Sequence, residues 1–212
     1  MRVLSLKYGK SRAGGHFEVQ FDDDTILTLD AELVVRFQLK VGFDVSANLR
    51  AEMEAEQERL TARRRMVRYL ALRRKTRREA LHYLERLGFS EAAIEYAMAA
   101  AAELKLVDDE RFAESFQRTQ QRVGKKGPRA ISHELRMRGV DKELASKTVA
   151  ESAKPENQRS AALIAGEKKA KALKSEEPRK ARQKLQMFLM RKGYDGDIVA
   201  EVTRKLLGEN DD

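Results

Sequence analysis

Apolar residues recur at helical spacing through most of the chain, and three short segments interrupt this pattern in the same way. Each segment is a leucine, three further residues, a glycine, an apolar residue, and then Ser or Asp. The segments are Leu84–Ser90, Leu135–Asp141 and Leu189–Asp195. Glycine adopts the left-handed conformation that ends a helix, and Ser or Asp accepts hydrogen bonds from the free amides of the next one. Each segment therefore predicts a junction between two helices, which we call a joint.

The joints lie about 50 residues apart, a spacing that is typical of stacked helical repeats. The chain is therefore predicted to be mainly α, with tandem three-helix repeats that offer a long surface rather than a pocket. The expected divisions are a connector helix at 45–62 and repeats at 63–107, 108–153 and 154–212. Thr76 and Glu79 predict a capping box at the middle helix of the first repeat. Asp108 is expected to cap the second repeat, and Pro128 to begin its middle helix.

Residues 1–44 have the two-residue period of β-strands and are predicted to form a small β-containing extension. Three short runs alternate apolar and polar residues, at Arg2–Tyr8, His16–Phe21 and Thr25–Leu29. Gly14 and Gly15 indicate a turn between the first two runs. Asp30 is expected to cap a short helix that lies on the resulting meander. So small a unit can barely fold alone, and we expect it to dock on the helices that follow.

Composition excludes several classes of protein and of site. The chain has 212 residues, 36% of them charged, and no cysteine, so disulfides and thiolate zinc sites are excluded. We find no run of about 18 apolar residues and no secretion signal. A cytoplasmic protein without membrane contact is therefore expected.

Residues that could support catalysis are scarce. His16, His82 and His133 lie in separate segments, and no HExxH motif, Walker phosphate loop or GxSxG elbow is present. We therefore expect no enzyme activity, no metal and no cofactor. Phe112 and Phe116 lie one helical turn apart, which fits a base-stacking platform but is more typical of core residues.

The distribution of charge indicates a polyanionic partner. The formal net charge is +9, and the basic residues cluster near the start of each predicted middle helix. The clusters lie within 63–78, 118–138 and 168–184. Any one cluster is equally well explained as solvated helix surface. Three of them along a helical array are the usual electrostatic footprint of a polyanion binder.

Two blocks of sequence resemble a known family. An Asp-Asp-x-Arg-Phe-Ala block begins at Asp108, and a Gly-Pro-x-x-Ile-x-x-Glu-Leu block begins at Gly127. With the residues that precede the first joint, these blocks resemble the RecX family of bacterial regulatory proteins. The resemblance covers residues 63–151 well and the third repeat more loosely. Residues 1–44 are similar to the N-terminal extension of the longer members.

The resemblance implies a modulator of RecA, the recombinase that polymerises on single-stranded DNA. RecX proteins are elongated, curved arrays of three-helix repeats that are thought to lie in the groove of the RecA filament. They limit filament growth, ATP hydrolysis, strand exchange and co-cleavage of LexA. The chain would then act in DNA repair and the SOS response, as a monomer that binds the RecA filament. Inhibition is the more expected effect, while stimulation and direct contact with single-stranded DNA are left open.

The clusters of basic residues provide candidates for contact with the RecA filament. We predict that basic residues near the starts of two middle helices face the acidic or phosphate-rich groove of the filament. They are Arg73, Arg74, Lys75, Arg77, Arg78, Lys125, Lys126, Arg129 and Arg136. The alternative is a helical-repeat protein that binds DNA or RNA without RecA. Its affinity for naked nucleic acid would fall on the order of a thousandfold between roughly 50 and 200 mM salt.

Overall fold

The computed structural model describes residues 1–11 and 14–208 of the chain. These residues divide into two units, each with its own internal packing. The first unit consists of Met1–Arg74 and Ala80–Val107, and the second of Lys75–Glu79 and the chain from Asp108 onward. Residues 209–212, which end the third predicted repeat, lie outside the described residues.

A three-stranded antiparallel sheet opens the first unit, which confirms the predicted meander. Its strands are β1 (Val3–Ser11), β2 (Gly14–Phe21) and β3 (Ile26–Asp30), in the order β1-β2-β3. The turn predicted at Gly14 and Gly15 is wrong, because both glycines pair with β1 as part of β2. The rings of Tyr8 and Phe17 pack edge to face across the two strands, with centroids 5.3 Å apart. This cross-strand contact supports a ladder that continues beyond its predicted end.

Two helices cover one side of this sheet. They are α1 (Ala31–Arg36) and α2 (Ala47–Leu72), and the core between them and the strands contains Val19, Phe21 and Met53. Helix α2 is continuous through the predicted connector and the predicted first helix of the first repeat. Neither Gly nor Pro occurs between its ends, so nothing in the sequence interrupts it.

Two further helices complete the first repeat. They are α3 (Arg77–Arg86) and α4 (Glu91–Glu103). From Ala80 onward, α3 packs with α2 and α4 around buried side chains such as Met66, Leu84 and Ala97. The alanine-rich sequence of α4 has small side chains, and α4 packs along α2.

The second unit contains six further α-helices. They are α5 (Asp109–Thr119), α6 (Pro128–Met137), α7 (Lys142–Val149), α8 (Pro155–Ala172), α9 (Pro178–Lys192) and α10 (Gly196–Leu207). A π-helical turn, Gln120–Gly124, follows α5 directly. The rings of Phe112 and Phe116 stack at 5.8 Å in the core of α5–α7, so the interpretation as core residues is correct. A separate core around Leu185 and Leu189 joins α8, α9 and α10.

The backbone confirms the predicted helix ends at most positions. Gly88, Gly139 and Gly193 have φ angles of +78°, +91° and +88°. The cap residues Ser90, Asp108 and Asp141 each accept an amide hydrogen bond from the following helix. Thr76 and Glu79 form the capping box, with hydrogen bonds of 3.2 and 3.1 Å between side chain and amide.

Asp30 and Asp195 precede helices as predicted, but their carboxylates do not cap them. Each is instead held by a glutamine and an arginine from other elements. Gln57 and Arg64 hold the carboxylate of Asp30, while Gln158 and Arg129 hold that of Asp195. The capping prediction is wrong at these two sites because tertiary partners take the side chain first.

Two kinds of feature are absent from residues 1–11 and 14–208. None of the helices there has the length and apolarity needed to cross a bilayer. No group of three His, Asp or Glu side chains there has an arrangement that could hold a metal ion.

Candidate partner-binding surface

The N-terminal end of α6 docks on the joint between α9 and α10. The amide of Gly127 donates a hydrogen bond to the carbonyl of Lys192 at 2.7 Å, and the amide of Arg129 donates to that of Gly193 at 3.2 Å. A Cβ atom on Gly193 would lie 2.3 Å from the backbone nitrogen of Ala130. Backbone therefore contacts backbone here, which only glycine permits.

Two side chains of the third joint also contact the residues that precede α6. The ammonium of Lys192 donates to the carbonyl of Gly124 at 2.7 Å, and the hydroxyl of Tyr194 donates to that of Lys125 at 3.2 Å. The ring of Tyr194 is 2% exposed, and this burial raises the pKa of its phenol to about 12. The phenol therefore stays neutral and remains a donor at ordinary pH.

The start of α3 docks on the second joint in the same way. The hydroxyl of Thr76 donates to the carbonyl of Arg138 at 2.7 Å. Arg138 directly precedes the joint glycine, as Lys192 does in the third joint. At both joints, the N-cap residue of a middle helix thus donates a hydrogen bond to the carbonyl of the residue that precedes the joint glycine of the next repeat.

The guanidinium of Arg78 completes the contact at the second joint. It donates to the carbonyl of Met137 and, at 3.4 Å, to that of Arg136. Both carbonyls lie at the C-terminal end of α6, where the helix dipole favours a positive charge. The side chain of Arg78 also fills the space beside Gly139, where an added Cβ would lie 2.5 Å from the Cβ of Arg78.

One exposed side of α6 carries a row of basic residues. Arg129, His133 and Arg136 follow one another at helical spacing, so they lie on the same face. With Ser132 they line a groove of about 310 Å³ that also contains Val149. Arg129 forms an ion pair with Asp195 across this groove. Arg136 is exposed, and its guanidinium has no ion pair or hydrogen bond within the described part of the chain.

The start of α3 places a second unpaired cation in the same unit. The backbone amide of Arg77 donates to Asp109 at 2.8 Å, while its side chain is exposed and unpaired among the described residues. The neighbouring Arg138 forms an ion pair with Glu79 at 3.2 Å and lies over the Phe116 ring at 5.0 Å. Arg138 belongs to the basic cluster at 118–138 but is not among the predicted site residues, although an aromatic ring is a common partner for arginine.

Lys125 and Lys126 line a different groove, of about 400 Å³, together with Pro128, Ile164 and Tyr194. Lys126 forms an ion pair with Glu134 of α6. Lys125 directly follows the π-helical turn and has a φ angle of +48°. Its ammonium lies 3.4 Å from the carbonyl of Ile164 in α8. Both lysines are therefore engaged by the chain itself.

The first unit contributes its own basic surface. Arg73 and Arg74 directly follow α2, and both are exposed without a partner in the part of the chain that is described. Three further arginines on the last half of α2 are exposed, namely Arg63, Arg65 and Arg68. This end of α2 is therefore strongly cationic.

The structure thus separates the predicted site residues by what they contact. Arg78, Lys126 and Arg129 make charged or carbonyl contacts within the chain, and Lys125 approaches a carbonyl. Lys75 is half-buried. The side chains that extend into solvent without such contacts to residues 1–11 or 14–208 are those of Arg73 and Arg74 in the first unit and of Arg77 and Arg136 in the second. Contact is observed between Arg78 and Arg136, through the carbonyl of the latter.

Comparison with protein families identifies relatives of both later repeats. The family model described as RecX, second three-helix domain, matches residues 108–149. The model described as RecX, third three-helix domain, matches residues 156–203. Both matched ranges fall within the second unit and include its two joints.

Curated proteins and solved structures give the same result. Regulatory protein RecX of Geobacillus kaustophilus is 30% identical over 176 residues, which cover 83% of this chain and 65% of that protein. Regulatory protein RecX of Bacillus velezensis is 27% identical, over 92% of this chain and 74% of the relative. This chain therefore spans about two thirds to three quarters of the length of these relatives.

Two solved structures are similar to this fold. A crystal structure of regulatory protein RecX matches with a TM-score of 0.72 and 20% identity, covering 95% of this chain and 98% of that one. The crystal structure of RecX from Lactobacillus salivarius matches with a TM-score of 0.63 and 25% identity, covering 70% and 96%. The first of these likenesses concerns the fold alone.

Proposed function

This chain belongs to the RecX family of regulatory proteins, and on that premise we propose that it binds the RecA filament on single-stranded DNA. Bound there, it limits filament growth and with it ATP hydrolysis, strand exchange and co-cleavage of LexA. It acts in the cytoplasm by binding and catalyses no reaction of its own. Direct contact with the DNA inside the filament is part of this proposal.

The observation that carries the proposal is a set of exposed arginines without side-chain partners among the described residues, and one of them, Arg136, lies at the end of its middle helix and not at the predicted start. In the second unit, Arg77 begins α3 and Arg136 lies near the end of α6. Arg78 connects these two helices, because it lies on α3 and its guanidinium contacts the backbone carbonyl of Arg136 on α6. Two unpaired guanidinium groups flanking one contact suit a polyanionic or acidic surface, since Arg binds carboxylates and phosphates in bidentate fashion.

This arrangement also divides the predicted site residues by role. Arg78 and Arg129 hold the joints, so their removal disturbs the second unit as well as any partner contact. Arg77 and Arg136 are available for a partner without that structural cost. In the first unit, Arg73 and Arg74 have the same character, and we propose them as a separate partner-binding surface of that unit.

The test compares binding to RecA filaments with binding to bare single-stranded DNA at the same salt concentration. The variant R77E/R136E reverses both unpaired charges of the second unit. We expect its affinity for the filament to fall at least about tenfold, because two favourable charge contacts become repulsive. The matched control is K40E/K142E, which makes the same change in net charge at two exposed lysines without described partners.

The pair of variants separates site-specific binding from general charge. Equal losses in R77E/R136E and K40E/K142E would mean that only net charge matters, and the assigned surface would be wrong. Tight binding of the wild-type protein to bare DNA, with a steep loss on adding salt and no preference for the filament, would instead support the alternative of a nucleic-acid-binding protein that acts without RecA.

A further inference from the structure

The groove of about 310 Å³ beside α6 is lined by three basic side chains and one acidic one. Arg129, His133 and Arg136 lie at intervals of four and three residues along α6, so they form a row about 10 Å long on one face of the helix. Asp195 is the one acid among the described residues that line the groove. The lining therefore has the charge of an anion-binding site with a counter-ion at one end.

Arg136 and two neighbouring side chains in the groove are available to an incoming anion. The guanidinium of Arg136 makes no ion pair or hydrogen bond with residues 1–11 or 14–208, and neither does the hydroxyl of Ser132 or the ring of His133. A guanidinium binds a phosphate through two parallel hydrogen bonds, and a hydroxyl supplies a further donor. This end of the groove can therefore bind a phosphate without breaking a contact within the chain.

At the other end of the row, Asp195 forms an ion pair with Arg129. The buried Gln158 donates to the second carboxylate oxygen of Asp195 at 2.6 Å and accepts from its backbone amide at 3.1 Å. These two bonds hold the carboxylate in place beside α6. The paired side chains of Arg129 and Asp195 are 68% and 36% exposed, and an ion pair this accessible is weak because water and salt screen it. A phosphate can therefore replace the carboxylate.

We propose that this groove binds the phosphate backbone of single-stranded DNA, and that Asp195 lowers its affinity by occupying Arg129. The choice of DNA as the partner rests on the proposed function. When a strand binds, one phosphate takes the place of Asp195 on Arg129 while another contacts Arg136. Competition within the chain thus keeps binding to bare DNA weak.

The geometry of the row favours a phosphate backbone over an acidic protein surface. A nucleic-acid strand repeats one negative charge per nucleotide, and a row of about 10 Å spans about two to three successive phosphates. No aromatic side chain lines the groove in the described part of the chain. The groove therefore contacts backbone charge rather than bases, and its affinity should depend little on base sequence.

The variant D195N tests the competition, because it removes the charge while its side-chain oxygen can still accept from Gln158. Affinity for a labelled oligothymidylate is measured by fluorescence anisotropy, without RecA, between about 50 and 200 mM salt. We expect D195N to bind at least about fivefold tighter at the lowest salt. The slope of log affinity against log salt should steepen by about 0.7, the value for one more neutralised phosphate on a single strand. The matched control is E167Q, which makes the same change in net charge at an exposed acid on α8 outside the groove.

Two further variants locate the effect within the groove. R136Q removes one phosphate contact, so its salt slope should be shallower than that of the wild type by about 0.7. R129Q removes the group that Asp195 occupies, so D195N/R129Q should bind no tighter than R129Q alone. Comparing these last two proteins cancels any effect of R129Q on the fold.

Several results would overturn the inference. They are equal effects of D195N and E167Q, a gain from D195N that persists without Arg129, an unchanged slope in R136Q, or no measurable binding of D195N to the oligonucleotide. If R136Q weakened binding to RecA filaments but left the slope on bare DNA unchanged, the groove would bind an acidic protein surface instead.

The proposed function is tested separately, by the effect of the wild-type protein on ATP hydrolysis by RecA. Absence of inhibition together with the expected DNA results would contradict the proposed function and leave this inference standing. Inhibition of RecA together with unchanged DNA binding in D195N and R136Q would do the reverse.

Discussion

The first and third joints share a sequence pattern but have different surroundings. At the first joint, Glu58 of α2 accepts hydrogen bonds from the amide and hydroxyl of Ser90 at 2.7 and 2.6 Å. At the third, Gln158 of α8 accepts from the amide of Asp195 at 3.1 Å and donates to its carboxylate at 2.6 Å. The first contact is exposed, whereas Gln158 is 1% exposed. The local sequence is thus sufficient to form each joint. The contribution of a joint to the free energy of unfolding depends on its packing, which at the third joint includes the start of α6.

Replacement of the joint glycine is expected to give the largest difference in stability between the first and third joints. G193A forces a side chain into the left-handed region, at a cost of about 1–2 kcal/mol, and pushes it against the backbone of Ala130. Displacing that backbone adds about 1–3 kcal/mol. G88A incurs only the first cost, since its Cβ meets open space. We therefore expect the free energy of unfolding to fall about 2–5 kcal/mol in G193A and about 1–2 kcal/mol in G88A.

Hydrogen exchange followed by mass spectrometry measures this difference segment by segment, which avoids assuming a single transition for two units. The amides of α6 and α9 should lose protection in G193A, while those of α3 and α4 lose less in G88A. Equal losses would contradict the account, because they would mean that close backbone packing at Gly193 contributes nothing beyond its φ angle.

The glutamine and glutamate that hold the cap residues provide the next largest contrast. Q158A removes a buried side chain and leaves the amide of Asp195 and the carbonyl of Ala153 without their partner. We expect a loss of about 2–4 kcal/mol in the free energy of unfolding, from the unsatisfied groups and the cavity. E58A exposes the equivalent groups of Ser90 to water, so its cost should be about 1 kcal/mol or less.

Denaturant titration monitored by circular dichroism gives the relative stability of both variants. The variant Q158M is a control for volume, because its side chain has a similar length and fills the site without making the hydrogen bonds to Asp195 and Ala153. If E58A proved as destabilising as Q158A, burial would not explain the difference between the two joints.

The residue after the joint glycine gives the smallest contrast at neutral pH and a distinctive one at alkaline pH. Phe89 occupies this position in the first joint and Tyr194 in the third. Y194F removes the hydrogen bond to the carbonyl of Lys125, which we expect to cost about 1 kcal/mol at pH 7.

The wild-type chain is expected to lose stability relative to Y194F as the pH rises above 10. The pKa of Tyr194 is about 12 in the folded chain and about 10 in an unfolded one. Above pH 10 the unfolded chain therefore loses its proton first, and the free energy of unfolding falls as pH rises through 12, by about 2–3 kcal/mol in all. Denaturant titrations of wild type and Y194F between pH 9 and 12 should converge and then cross, because this loss exceeds the roughly 1 kcal/mol of the hydrogen bond, and parallel curves would be inconsistent with a buried phenol.

Much of the local structure could be predicted from sequence, since its causes are local. Glycine at helix ends, capping by Ser90 and Asp141, and the box of Thr76 with Glu79 depend on residues a few positions apart. The joints, the strand meander and most helix starts follow from such signals. The family could also be identified, because two blocks of residues occur in order at a suitable distance.

What could not be predicted depends on contacts distant in sequence. Asp195 has a capping sequence, but Gln158 lies 37 residues away and takes its carboxylate. Arg78 and Arg129 belong to basic clusters, yet each is engaged by the joint of the next repeat. Clustering measures charge along the chain and cannot distinguish a cation that holds the fold from one that is free for a partner. That distinction required the positions of the partner atoms.

We propose that this chain acts on RecA filaments, and the rate of ATP hydrolysis by cognate RecA on single-stranded DNA tests this most directly. The protein is added well below the RecA concentration, and its binding to the bare DNA is measured at the same salt. We expect strong inhibition at concentrations too low to coat the DNA, weakened in R77E/R136E and retained in K40E/K142E. No inhibition, or inhibition that only follows occupancy of the DNA, would contradict it.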